Sequence, residues 1–85
     1  MQYLYFDGKN VRSSPQSWAD ILYTVDGNYI RKGHLPYGDV VYNIQGKNIH
    51  QGTQSWGDIV YNIDGDYIRR GAQSWGEIVC KIIKV

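Results

Sequence analysis

Every nineteenth residue of this 85-residue chain returns to the same role. Gly8, Gly27, Gly46 and Gly65 stand 19 apart, and so do Trp18, Tyr37, Trp56 and Trp75. A fixed period of this length marks one supersecondary unit repeated along the chain, and it leaves no space for a linker. The chain reads as a single repeat domain over 1–85, with units at approximately 7–25, 26–44, 45–63 and 64–82.

The unit is a β-hairpin. Asp7-Gly8, Asp26-Gly27, Gln45-Gly46 and Asp64-Gly65 each divide two runs of alternating apolar and polar residues. Asp-Gly in that setting is the strongest short-range hairpin signal, because both central residues of a type I′ turn need positive φ. Gln45 suits positive φ poorly, so a type I turn with a glycine bulge is the alternative. Centring the turn on Asp64-Gly65 puts Ile63 opposite Asp66, Tyr61 opposite Ile68 and Val60 opposite Arg69.

Strand alternation then sorts the side chains. One face carries Ile59, Tyr61, Ile63 and Ile68, then Ile21, Tyr23, Val25 and Ile30, then Val40, Tyr42, Ile44 and Ile49. The first hairpin adds Leu4, Phe6 and Val11, and the last strand adds Ile78, Cys80 and Ile82, all apolar or tyrosine. This is the core face. The opposite face is mixed, with Asp20, Asp39, Asp58 and Glu77 at one recurring position and Arg12, Arg31, His50 and Arg69 at another. Asp58 with Arg69, and Asp20 with Arg31, are expected as diagonal ion pairs.

Hairpins near 2–12, 20–32, 39–51 and 58–70 leave 77–84 as a ninth strand with no return. Pairing it beside the N-terminal strand hides both edges. The fold class is therefore all-β: four tandem antiparallel hairpins plus a C-terminal strand, closed like a barrel or propeller with approximate fourfold repetition. An open hairpin stack or β-solenoid is the alternative, and a homo-oligomer through the terminal strands is the other use for the unpaired edge.

The connectors are where binding chemistry could sit. Gln16-Ser17-Trp18, Gln54-Ser55-Trp56 and Gln73-Ser74-Trp75 repeat, whereas the second connector reads Leu35-Pro36-Tyr37. An indole offers a flat face for sugars or bases, and Gln and Ser offer hydrogen bonds to hydroxyls. Arg31 and Arg69 add charged donor forks. Repeated weak sites would gain by avidity. The competing reading has each Trp fold back to cap the hairpin layer, with Gln and Ser tying down loop backbone. The small core face favours it, since the tryptophans, the second face or a subunit contact must then add burial.

Other functions find less support. Nine basic and eight acidic residues give a net charge of +1, which offers no electrostatic footprint for duplex DNA or an anionic membrane. Tyr29, Tyr67, Arg31 and Arg69 share a face that could stack single-stranded nucleic acid, but each base there has an acid nearby. His34 and His50 occupy different repeat positions, and Cys80 takes a core slot held elsewhere by tyrosine, so an inert buried thiol is expected. No cofactor and no metal site is expected, and the chain reads as a non-enzyme. With no signal peptide or apolar span legible, the expected location is the cytoplasm, with secretion the alternative for a trimmed chain.

Tyr29-Ile30-Arg31-Lys32-Gly33 and Tyr67-Ile68-Arg69-Arg70-Gly71, with Tyr37-Gly38-Asp39-Val40-Val41-Tyr42 and Trp56-Gly57-Asp58-Ile59-Val60-Tyr61, resemble short bacterial β-hairpin-repeat proteins to which no activity attaches. Leu4-Tyr5-Phe6-Asp7-Gly8-Lys9 is similar to the choline- and glucan-binding repeats of bacterial surface proteins, which implies aromatic ligand sites between units. The functional expectation is a small non-catalytic binding or assembly module with repeated aromatic loops and a carbohydrate or protein partner. A purely structural self-associating protein and a single-strand binder are the alternatives.

Overall fold

The computed structural model describes residues 3–16, 18–35 and 37–83. They form nine strands and no helix: β1 (Leu4–Phe6), β2 (Asn10–Arg12), β3 (Ile21–Asp26), β4 (Tyr29–Lys32), β5 (Val40–Gln45), β6 (Asn48–Gln51), β7 (Ile59–Asp64), β8 (Tyr67–Arg70) and β9 (Ile78–Ile82). Each strand pairs with the next, and the ring closes between β9 and β1. Strand direction alternates around the ring, so with an odd number of strands the closing pair must be parallel. Leu4 lies beside Cys80, Tyr5 beside Lys81 and Phe6 beside Ile82 in that seam. Both terminal strands thus have their edges used within the chain, as ring closure required.

The turns correct the sequence reading in one respect. Ile63 pairs with Ile68, Asn62 with Arg69, and Asp64 with Tyr67, so Gly65-Asp66 rather than Asp64-Gly65 is the turn. Gly65 has φ of 61° and no described non-glycine residue has positive φ, the pattern of a type II′ turn with glycine first. Gln45 therefore never meets positive φ; it ends β5 opposite Asn48. The facing of Tyr61, Ile63 and Ile68 survives this correction because moving the turn by one residue shifts the pairing by two. Ile21, Val40, Ile59 and Ile78, expected on the core face, lie instead opposite Arg12, Arg31, His50 and Arg69, because the register slips by one residue just before each of those pairs.

Between hairpins the register slips at one place in every unit: between Val11 and Arg12, Ile30 and Arg31, Ile49 and His50, and Ile68 and Arg69. Such bulges bend a strand and increase its twist, which helps a sheet of short strands curl shut. The result is a flat disc of 34 × 31 × 20 Å. At its hub, Leu4, Val11, Tyr23, Ile30, Tyr42, Ile49, Tyr61, Ile68, Val79 and Cys80 line an apolar cavity of about 100 Å³. The tyrosines meet at an angle: Tyr23 and Tyr42 are tilted with ring centres 6.2 Å apart, and Tyr42 and Tyr61 meet edge-on at 5.7 Å. Leu4 and Cys80 fill the same repeat slot with shorter side chains, so the three rings cannot close the centre.

Two expectations about the rest of the surface change. The extra burial comes from polar residues of the second face, Thr24, Asn43, His50 and Asn62, which are 1–9% exposed. It does not come from tryptophan: Trp18, Trp56 and Trp75 are 81–82% exposed and Tyr37 76%. The connectors press their backbone, not their aromatic rings, onto the barrel.

Candidate functional site

Each connector leaves its strand, turns and returns within a few residues, held first by its own backbone. In the third, Gln51 N–H donates to Asp58 O at 2.9 Å and Gly52 N–H to Val41 O at 2.9 Å. Gly57 N–H donates to Gln54 O at 3.1 Å, closing a four-residue turn with Ser55 and Trp56 at its centre. Equivalent bonds run from Ala19 to Gln16, Gly38 to Leu35 and Gly76 to Gln73. The aromatic is the last central residue of a tight turn, with its side chain directed to solvent. A Cβ on Gly57 would lie 2.3 Å from Gln51 O, and one on Gly76 2.1 Å from Arg70 O, so these loops approach the strand at a distance only glycine permits.

Buried amides form the second layer of attachment. Asn43 Nδ2 donates to Gly52 O at 2.9 Å and Gln54 O at 3.0 Å. Asn62 Nδ2 repeats this with Gly71 O at 2.9 Å and Gln73 O at 2.8 Å. The second connector has a weaker version, one bond from Thr24 Oγ1 to Gly33 O at 2.8 Å. The first has Tyr5 in the corresponding slot, Ser14 where the others begin with glycine, and Ala19 in the close-approach position. Three Gln-Ser-Trp copies are thus not three equal sites. Trp56 and Trp75 stand on doubly pinned loops.

The arginines form the third layer. Arg31 Nε donates to Asp26 Oδ2 at 3.2 Å and its Nη1 to Gly38 O at 2.9 Å. Arg69 spans Asp64 Oδ2 at 2.9 Å and Gly76 O at 3.0 Å, and Arg12 spans Asp7 Oδ2 at 2.8 Å and Ala19 O at 3.1 Å. The expected partners Asp20 and Asp58 are replaced by Asp26 and Asp64, the last residues of β3 and β7, because the corrected turn brings them back beside the arginine five residues on. Glu77 does engage a basic residue, Arg70, at 3.4 Å. In the third unit both members change together: Gln45 replaces the aspartate and His50 the arginine. Gln45 Nε2 then bonds Asn43 Oδ1 at 3.1 Å, and His50 Nδ1 lies 2.6 Å from Gly57 O. A carbonyl can only accept, so Nδ1 carries the proton.

Titration follows these environments. Partial burial acts to raise the Asp7 carboxyl's pKa, but hydrogen bonds from Arg12 and from the Asn10 and Lys9 amides, with the Arg12 charge, leave it below its ordinary value. Burial, followed by the Tyr61 hydrogen bond and the neighbouring tyrosines, pushes the Tyr42 phenol up to about 12. Burial pushes the Cys80 thiol up to about 12. At neutral pH that thiol is protonated and shielded, a poor nucleophile.

Of the residues singled out in the sequence, Gln16, Gln54, Gln73, Ser55 and Ser74 join the aromatics on the exposed rim. Ser17 lies outside the described residues. Arg31 and Arg69 sit behind the rim as tethers, and Arg69 also lies 5.8 Å from the Tyr67 ring centre. A groove of about 380 Å³ runs beside the fourth connector, lined by Lys47, Asn48, Asn62, Ile63, Asp64 and Ala72 through Trp75. Sequence reasoning missed its far wall, Lys47 and Asn48 at the turn of the preceding hairpin. It also missed the connector pins Thr24, Asn43 and Asn62, for which a signal existed: polar residues recurring every 19 positions in mid-strand.

Fold and rim together define a small closed β-barrel of tandem hairpins that carries exposed aromatic turns. The chain matches the family described as "6-fold beta flower protein" over residues 2–84, and it belongs to that family. The described residues of this chain hold four hairpins and a ninth strand. The similarity to choline- and glucan-binding repeats finds no support in this match. No curated protein and no solved structure matches the chain.

Proposed function

We propose that this β-flower protein is a non-catalytic, multivalent binding module whose contact elements are the aromatic turns of the rim. The observation that carries the reading is the exposure of four aromatics at one repeat position, 76–82%, on loops tied to the barrel through their backbone, the third and fourth doubly by Asn43 and Asn62. Large apolar groups held out of the core on fastened loops mark contact surfaces more than folding needs. Four of them on one disc suit a repetitive ligand, for which weak contacts multiply. A neutral carbohydrate is the preferred class, because the connectors add amides and hydroxyls rather than charge. The Arg31 and Arg69 donors engaged within the chain weigh against a single-strand nucleic-acid role.

The test compares wild type with a variant carrying Trp18→Ala, Tyr37→Ala, Trp56→Ala and Trp75→Ala. Both are passed over immobilised neutral polysaccharides, single-stranded oligonucleotides and the protein itself. Wild type should bind a polysaccharide, and the variant should lose that binding while keeping its circular dichroism spectrum. Undiminished binding by the variant refutes the reading. The same exposed aromatics favour one alternative, assembly of copies rim to rim, and light scattering that shows an aromatic-dependent oligomer with no polysaccharide binding would establish it instead.

A further inference from the structure

The groove beside Trp75 is built by two neighbouring hairpins, and we infer that it is a subsite for one neutral sugar unit shared between repeats. This inference rests on the rim-binding reading and names the ligand class and the residues on both sides. One wall is the fourth connector, with Trp75, Ser74 and Gln73; the other is the turn of the preceding hairpin, Lys47 and Asn48; β7 supplies the floor through Asn62, Ile63 and Asp64. The volume of about 380 Å³ falls near the small end of ligand sites, which span about 300–1,000 Å³.

The lining selects the ligand. A pyranose presents an apolar C–H face and a rim of hydroxyls that both donate and accept. Trp75, 81% exposed, gives the first an indole plane. Asn48, Gln73 and Ser74 give the second paired donors and acceptors, since amides and hydroxyls do both. The groove's charges are one lysine and one aspartate, Lys47 and Asp64, and the Asp64 Oδ2 already receives Arg69 at 2.9 Å. With Asp64 engaged by Arg69, a single lysine is left, too little for a phosphate chain or a polyuronate, each of which would need a cationic track. Asn62 places the connector wall by its bonds to Gly71 O and Gln73 O, so the turn that carries the indole is in position before the ligand arrives.

The 19-residue translation gives Trp56 the counterpart residues Asn28, Tyr29, Gln45, Gln54 and Ser55. The carboxylate becomes an amide there and the turn gains an exposed tyrosine.

The experiment is a titration of ¹⁵N-labelled protein followed by amide and indole shifts, with cellohexaose, chitohexaose and maltohexaose as neutral probes. Oligogalacturonate and oligo-dT serve as charged ones. A neutral oligosaccharide should move the Trp75 indole, Gln73, Ser74 and, across the groove, Lys47 and Asn48. Asn48→Ala and Gln73→Ala should each weaken it by about tenfold, as expected for lost hydrogen bonds to a partner. Saccharide shifts confined to the indoles, with Asn48 unmoved, overturn the groove and leave the rim reading standing. Preference for either charged probe overturns the neutral class. An absence of shifts with every probe overturns the subsite, while the rim reading is then decided by its own variant.

Discussion

Ile49 and Trp56 lie in the same repeat, yet Ile49 is 2% exposed at the hub and Trp56 is 82% exposed at the rim. Both are large and apolar, so hydrophobicity alone does not decide their fates. What separates them is attachment. Ile49 faces the lumen because strand alternation puts it there, and the closed ring removes it from water. Trp56 faces solvent because its loop's backbone, not its ring, is drawn onto the barrel by Asn43, His50 and the close approach at Gly57. The hub spends apolar surface on stability. The rim uses buried polar bonds to keep apolar surface available.

The largest effect is expected at the hub. Ile49→Ala should cost about 2–5 kcal/mol, the range for a truncated core aliphatic beside an existing void, read as a lower urea midpoint. In a domain this small, that removes much of the total stability. Asn43→Ala comes next: it leaves Gly52 O and Gln54 O without their donor and should cost about 2–3 kcal/mol. It should also speed hydrogen exchange at the Gly57 amide. Thr24→Val, which loses one such bond, should cost about 1 kcal/mol, grading the connectors by their fastening.

Two pH experiments sharpen the contrast without mutation in the core. Cys80 and Tyr42 both have native pKa values raised to about 12. Their unfolded values are about 8.5 and 10, so the unfolded chain loses protons first, and stability should fall as pH rises from about 9 towards 12. Cys80 should react with a thiol reagent only as fast as the protein opens. Asp7 has the opposite sign: its native pKa is lowered, so its contribution is complete above the unfolded value of about 3.9 and fades as pH falls through the native one. Wild type and Asp7→Asn should differ in melting temperature at pH 6 and converge in acid. The smallest expected effect is at the rim, where Trp75→Ala should change stability by less than about 0.5 kcal/mol, as for an exposed side chain.

Much of the hub was legible in the sequence. The period of 19 with alternation set the face of Tyr61, Ile63 and Ile68, and even a turn misplaced by one residue could not undo it, because facing depends on parity. The spare strand at 77–84 signalled closure. Turn type was not legible, since Asp-Gly serves type I′ when aspartate takes positive φ and precedes type II′ when glycine leads. The tryptophans misled because a burial argument treats every large apolar residue as available to the core. Whether a connector buries its side chain or its backbone depends on groups elsewhere, here Asn43 and Asn62. The joint change of Asp and Arg to Gln45 and His50 was visible as two substitutions; only the corrected register shows them as one contact.

On the proposed function, the rim aromatics serve contact and add little to folding. Urea unfolding of the Trp18→Ala, Trp56→Ala, Trp75→Ala triple variant, followed by far-ultraviolet circular dichroism, tests it most directly. The midpoint should stay close to that of wild type, far above that of Ile49→Ala. A midpoint lowered as far as the Ile49→Ala variant's would mean that the tryptophans are part of what holds the barrel together, and that they are not reserved for contact.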